Sequence, residues 1–415
     1  MLKEGAERVL RANWREGVRR DGTPFAFTCP SPRRYKHQWY WDSCFHAIAW
    51  THIDPAYARE ELRTLLRAGR PDGFIPHTAF WQASPLWRRA PLYATARMYG
   101  DTGTESIQTP FLALAWERVA AALGEDGPAF VAEGLGPLEA HARWLTRERD
   151  PDGDGLLTIL LPDESGVDDS PKYDLVYGRM AHWRPGYARL VQRCRRAGWS
   201  ARLLAATTDE HVEDVLVNVA HALSLRALGR MSGEREWVAR AERVEAALVE
   251  RCWDPVRGLF FDLAGRDEWR VPISTWTSLA PLALGDAIPR EIRERLVEEH
   301  LLNPRRYAAR FGVPAVSMEE PTFRPGFNAY RVWRGAAWMN TAWLLVGGLR
   351  ALGAGNEADA LAGRAAAAVE RSGFREYYHP RTGTGHGEQR FGFSTLVVDM
   401  AAGFHPVPPG VARAA

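Results

Sequence analysis

The sequence predicts an all-α protein, a toroid of paired helices whose long loops gather on one face. Three observations carry this. Helical periodicity dominates: of ten candidate segments, most repeat apolar residues at the spacing i, i+3, i+4, i+7. The connections between them alternate in character, and the long ones (20–40, 70–88, 149–185, 303–332 and 378–392) are rich in Trp, Gly, Pro and acids. Alternating strand runs are scarce, with 156–161 (LLTILL) and 258–263 (GLFFDL) the best of them. Helix pairs wound about a central axis place every second loop on the same face, which accounts for the alternation.

The expected helices are 6–16, 41–51, 56–68, 110–123, 138–148, 210–229, 234–252, 291–299, 333–352 and 356–372. The first is amphipathic and charged, with no apolar core of the signal-peptide kind. In 41–51, Asp42 suits the N-cap or the first turn. In 210–229, Val212, Val215, Leu216, Val219 and Leu223 share one face, and Asp209 and Glu210 suit the first turn. Arg331 and Arg334 lie near the start of 333–352, where a helix dipole prefers acids, so they are expected to serve an anion or a carboxylate. Gly373 reads as the residue that ends 356–372. Nothing resembles a linker. Residues 1–415 read as one domain, with 149–200 a loop-rich insertion over the site face.

Net charge is +2, which gives no reason to expect a nucleic-acid partner or an acidic membrane surface. No apolar run approaches a membrane span. Cys29, Cys44, Cys194 and Cys252 show no CxxC and no ligand spacing, and read as free thiols in a reducing compartment. The histidines form no HxxxH or HExxH pair. A cytoplasmic protein without metal or cofactor is the expectation. The chain holds 17 Trp, many beside polar groups, as in HQWYWDS, TAFWQ and YRVWRG. Such tryptophans suit a pyranose, which offers an apolar C–H face and a ring of hydroxyls, though the same pattern occurs in ordinary cores.

Two segments carry acids in turn-rich surroundings. ESGVDDSP (164–171) places Asp168 beside Asp169, and REYYHPRTG (375–383) places Glu376 before Tyr377. Two carboxyls on loops of an aromatic-rich fold are what glycoside hydrolysis needs, one as acid and one as base. In RDPDGDGL, Asp150, Asp152, Asp154 and Gly155 match the first half of a calcium loop, but Leu161 stands where the twelfth-position Glu belongs. The plainer reading is a turn whose Asp side chains cap backbone N–H groups. His77 lies in a loop between aromatics, which favours a site role.

Taken in order, WYWDSCFHA, GFIPHTAFW, ESGVDDSP, YRVWRGAAWMNTAW and REYYHPRTG resemble family 63 of the glycoside hydrolases, kin of the trehalases. The length looks most like the bacterial branch that acts on mannosylglycerate and glucosylglycerate. The resemblance implies an (α/α)6 barrel, an inverting mechanism, Asp168 as general acid and Glu376 as general base, with Glu388 a rival base. It places Asp42 with Trp41, and Arg334 with Trp333 and Gly335, at the −1 subsite. Asp169 stands where relatives often carry Asn, which leaves open which of the two aspartates is the acid.

On that frame Trp41, Trp81 and Trp333 would wall the sugar, with Asp42 and His77 on its hydroxyls and Tyr377 beside the base. Tyr35, Lys36, Gln38, Gln82, Gln389 and Arg390 would serve a glycerate carboxylate. The expected partner is a small sugar glycoside. A trehalase or oligosaccharide α-glucosidase on the same fold, a sugar epimerase using His77, His211, His379 and His386, and a non-catalytic sugar binder are the alternatives.

Overall fold

The computed structural model describes residues 1–82, 102–179, 184–328 and 332–403. Six inner helices line the axis: Tyr40–Thr51, Leu112–Ala122, Val215–Ser232, Trp276–Ala287, Met339–Ala351, and a last one in two pieces, Gly392–Leu396 and Val397–Ala401. Each packs on the next, and the last packs back on the first, so the ring closes. Outer helices back them: Pro55–Arg67, Gly127–Arg149, Arg235–Ala247, Arg290–Arg295 with its continuation Leu296–Leu301, Gly355–Ser372 and Leu2–Asn13. This is the (α/α)6 barrel.

Burial explains the two kinds of sequence. Every residue from Tyr40 to Trp50 and from Met339 to Leu349 is buried. The outer Pro55–Arg67 instead buries one stripe, Ala58, Glu61, Leu62, Thr64 and Leu65, and keeps a wet face. The inner helix Trp276–Ala287 was not expected. It is a tight 3-10 helix that contains Pro281 and breaks at Gly285, which departs from the α-helical spacing and reads as a break in sequence; all of Trp276–Gly285 is buried.

Other boundaries differ for local reasons. The first helix ends at Asn13, because Trp14–Val18 pairs with Pro24–Thr28 as a hairpin. Asp209 and Glu210 do not open a helix. Val212–Glu213 is a strand, and Asp214 caps Val215–Ser232 by accepting from Val217 N at 3.0 Å. That strand joins Thr158–Ile159, Leu263–Ala264 and Trp269–Arg270 in a small sheet. Residues Trp333–Trp338 lie outside the helix, which begins at Met339. Arg331 lies outside the described residues.

Gly127–Arg149 begins eleven residues before the expected 138. Gly134, Gly136 and Pro137 read as a break in sequence, yet Gly134 is where the helix meets the Trp116–Phe130 stack (centroids 4.0 Å apart). A Cβ at Gly134 would lie 2.2 Å from the Trp116 ring, whereas one at Gly136 would meet nothing. Gly134→Ala is therefore expected to cost about 1–3 kcal/mol. Gly136→Ala should cost nothing or stabilise slightly, and thermal unfolding of the two variants checks the contrast. Among the described residues no helix is long and apolar enough to cross a membrane.

Candidate active site

The acid-bearing loop is clamped at both ends. Glu164 is fully buried, forked by the Arg149 guanidinium at 2.9 and 2.7 Å, and accepts from Ile107 N (3.0 Å) and Leu160 N (2.6 Å). Ser165 Oγ donates to Pro162 O and accepts from Val167 N, tightening the turn. Gly166 has φ +78°, and a Cβ there would lie 2.3 Å from the Trp41 ring. Beyond the acids, Lys172 Nζ, itself buried, reaches Asp214 (2.6 Å), Asp262 (2.9 Å) and Thr277 (3.0 Å). Each residue of the ESG run thus has a job: anchor, turn, and room for a tryptophan.

Between the clamps the two aspartates part. Asp169 is 2% exposed, and its Oδ1 accepts from Trp333 N at 2.8 Å. Burial and the adjacent Asp168 push its pKa well up. Asp168 is open to solvent, yet it stands on a concave floor surrounded by protein. That desolvation pushes it up to about 6, with the negative charge of Glu376 adding to the rise and Arg34 opposing it.

Glu376 lies on the strand Arg375–Tyr378, paired with Gly385–Gln389. It is 3% exposed and accepts from Tyr35 Oη at 2.9 Å and from Glu388 N at 2.8 Å. Burial raises its pKa, and these two donors hold part of the rise back. Gly387, with φ +66°, is needed here, since a Cβ would sit 2.3 Å from Glu376 Oε2. Glu388, the rival, is taken up elsewhere. Its carboxylate accepts from Ser31 (2.9 Å) and Arg33 (2.8 Å), which hold it below the usual range.

Aromatic rings flank the pair. Trp41 and Trp333 lie 6.4 Å apart, Trp333 stacks on Trp338 at 4.0 Å, and Trp338 on Tyr377 at 5.3 Å. Asp42 sits in the first turn of the first inner helix, 4% exposed, with burial pushing it well up and Glu61 and Glu376 adding to the rise. Arg334 forks Asp174 with two 2.6 Å bonds, so it does serve a carboxylate, one of the protein's own. Gly335 has φ +140° and lies against Phe323. The structure therefore brings together Tyr35, Trp41, Asp42, Asp168, Trp333, Glu376 and Tyr377.

Two expected contacts are corrected. Gln38 is fully buried, its Nε2 donating to Glu61 O (3.1 Å) and its Oε1 accepting from Trp81 Nε1 (2.6 Å), so both ends of the amide are used. Trp81 packs in a separate small core with Phe25, Phe27, Cys29 and Ala79 instead of walling a sugar. Lys36 and Gln82 are exposed. Gln389 and Arg390 line a cavity of about 340 Å³ with Ser31, Arg33 and Arg375, to which neither Asp168 nor Glu376 contributes. His77 is buried next to Asp163.

The RDPDGDGL segment is a turn. Asp150 accepts from Gly153 N (2.7 Å) and Gly155 N (3.1 Å), and Asp154 from Leu156 N (2.7 Å). Among the described residues, Asp150, Asp152 and Asp154, and also Asp152, Glu213 and Glu268, could gather about a metal ion. The Arg251 guanidinium pairs with both Asp154 and Glu268.

Residues 35–394 match the mannosylglycerate hydrolase MGH1-like glycoside hydrolase domain. The chain belongs to this family. Similar proteins include a mannosylglycerate hydrolase of Thermus thermophilus, 32% identical over 90% of this chain and 95% of that one. A glucosylglycerate hydrolase of Mycolicibacterium hassiacum is 26% identical over 89% and 93%. A solved GH63 mannosylglycerate hydrolase, from another strain of Thermus thermophilus and with Tris and D-glycerate bound, superposes with a TM-score of 0.82 at 28% identity, covering 97% of this chain and 100% of that one. The protein is thus a glycoside hydrolase, and the epimerase and non-catalytic alternatives fall. In a glycoside hydrolase, two carboxyls held in unlike environments are the means of dividing acid from base work. Asp168 and Glu376 stand in such unlike environments here. Arg34, Asp163 and the Arg149–Glu164 and Lys172 clamps were missed in the sequence, because each draws its meaning from a partner distant along the chain.

Proposed function

We propose that this hydrolase splits an α-mannosyl or α-glucosyl bond to glycerate with inversion, Asp168 acting as general acid and Glu376 as general base. The observation that carries the assignment is the unequal hydrogen bonding of the two carboxyls. Glu376 accepts from a phenol and a backbone N–H, and both favour its charged form. Among the described residues no other side chain donates to Asp168, and desolvation by the surrounding protein together with the charge of Glu376 favours its protonated form. Asp168 then gives its proton to the glycosidic oxygen, while Glu376 takes one from a water that attacks the anomeric carbon from the opposite face. Room for that water requires carboxyls about 6.5–9.5 Å apart.

The glycerate half is supported by the names of the relatives and by Arg34, whose charge acts on both Asp168 and Glu376. A carboxylate on the leaving group lies one carbon from the oxygen-bearing carbon that Asp168 releases, so a cation there answers it. Four unpaired cysteines suit a reducing compartment, and we place the enzyme in the cytoplasm.

Proton NMR of separate reactions with mannosylglycerate, glucosylglycerate and trehalose tests the reading. Prompt β-sugar from a glycerate glycoside is the expected result. An α-anomer first would overturn inversion, and release from trehalose alone would overturn the aglycone. The pH profile of kcat/KM adds a check. The acid must keep its proton and the base must lose its own. Activity is expected to decline as pH rises through about 6, where Asp168 ionises. The acidic limb should lie above the ordinary glutamate range, because Glu376 is raised.

A further inference from the structure

Behind the turn that carries Asp42 lies a carboxyl that the chemistry above does not use. Glu61 stands on the outer helix Pro55–Arg67 and is fully buried. Its Oε2 accepts from Thr28 N at 2.5 Å, and its Oε1 lies 2.6 Å from Ser43 Oγ. Its backbone carbonyl accepts from Gln38 Nε2. One residue of an outer helix thus joins the strand Pro24–Thr28, the entry to the first inner helix at Gln38, and the first turn of that helix at Ser43. Trp41 and Asp42 lie between the last two of these anchors.

Among the described residues no cation pairs with Glu61. Arg63, on the same helix, pairs with Glu60 and Glu133 on the wet face. A carboxylate shut off from water without a cation is costly, and a neutral acid is much less so. The partners suit a neutral acid too. Oε2 accepts from the Thr28 N–H, and Oε1 and the Ser43 hydroxyl share a bond that either oxygen can donate. Burial raises Glu61 to about 8, with the bonds from Ser43 and Thr28 holding part of the rise back. The titratable groups that feel its charge are Asp42 and Cys44 on the inner helix and Cys29 beside Thr28. Burial pushes both thiols up, Cys29 to about 11, so the charge that Glu61 can meet there is that of Asp42.

We infer that Glu61 is a positioning residue that works uncharged: through Ser43 it fixes the turn that presents Asp42 to the sugar, and as a neutral group it leaves the negative charge of that turn to Asp42. This rests on the cleft of Asp168 and Glu376 being the sugar site. An ionised Asp42 is an acceptor for sugar hydroxyls, and a second negative charge behind it would drive it to take up a proton. Glu61 touches neither the sugar nor the reacting atoms in this scheme. Its proton is a condition for binding and is not passed on in the reaction.

Glu61→Gln tests it, because the amide keeps the neutral pattern, accepting from Thr28 N and donating to Ser43 Oγ. The probes are mannose and glucose, bound to the full chain and followed by calorimetry, so no turnover is needed. At about pH 7 the variant is expected to bind the better of the two within about threefold of wild type. Wild-type affinity should fall about tenfold between pH 7 and pH 9, as Glu61 ionises through about 8, and the variant should show no such fall. Thermal stability carries the same sign. A carboxyl raised in the fold gives up stability as pH climbs from its unfolded range through about 8, so the variant should gain on wild type over that interval. Ser43→Ala, which cuts the link to the turn, should weaken sugar binding about tenfold at neutral pH. A Glu61→Gln protein that loses the sugar tenfold at neutral pH, or that fails to fold, would overturn the proposal, because the neutral mimic must be tolerated. Wild-type affinity that stays level across the same pH range would overturn it as well. Wild type that binds neither sugar removes the sugar site on which the proposal rests. Wild type that binds a sugar but cleaves no glycerate glycoside counts against the proposed reaction alone, and the pH series then still judges Glu61.

Discussion

Asp168→Asn is expected to lower kcat on a glycerate glycoside by about 10³- to 10⁴-fold, the upper part of the range for a lost general acid. The fold should survive. The side chain is open to solvent, and among the described residues no other side chain bonds to it, so the amide leaves nothing unpaired. Glu376→Gln should cost as much in rate and disturb more, since its carboxylate holds Tyr35 Oη and Glu388 N. A glycosyl fluoride separates the two roles. Fluoride departs without a proton, so Asp168→Asn should keep most of its activity on that substrate. Glu376→Gln should lose both activities, because water must be activated in either case. Steady-state rates on the two substrates, with circular dichroism as the control for folding, give the answer. Equal losses by Asp168→Asn on both would remove it from the acid's role and return Asp169 to consideration.

The parts of this molecule that could be read from sequence are those whose residues act locally. Outer helices such as Pro55–Arg67 were legible because one face is wet, and the wet face sets a period. Trp276–Ala287 and the Gly392–Ala401 pair were not, because one is a 3-10 helix that contains Pro281 and breaks at Gly285, and the other is two five-residue pieces, too short to show a helical period. The loop ESGVDDSP stood out because two acids lie side by side among Gly, Pro and Ser, all within eight residues. Which tryptophan faces a sugar was not legible. Trp41 and Trp81 both sit among polar neighbours, and the difference between them is that Trp81 finds Phe25 and Gln38. Gln38 looked free to bind a carboxylate because its partner, the Glu61 carbonyl, lies on another helix. The choice between Glu376 and Glu388 depends on Ser31 and Arg33, at the far end of the chain. Long-range contacts, which leave no local mark, decide each of these cases.

Arg149→Met is expected to destabilise the protein by about 3–5 kcal/mol, the cost of stranding one partner of a buried ion pair. Arg149 is 1% exposed and Glu164 is 0%, so water cannot take the place of the guanidinium. Met fills much of the same volume, which confines the loss to the electrostatics and the two hydrogen bonds. The double variant Arg149→Met/Glu164→Gln should recover part of the stability, because no charge is then left alone. Recovery should stop short of wild type, since Ile107 N and Leu160 N both depend on the carboxylate and one amide oxygen cannot serve them equally. Urea unfolding midpoints of the three variants measure this directly. The rate tells a second thing. Glu164 fixes the start of the turn that presents Asp168, and Lys172 fixes its end. With the first clamp loosened, kcat should fall even at temperatures where the variant is fully folded, and KM should change less. If stability drops and kcat does not, the Lys172 network alone is enough to hold the acid in place.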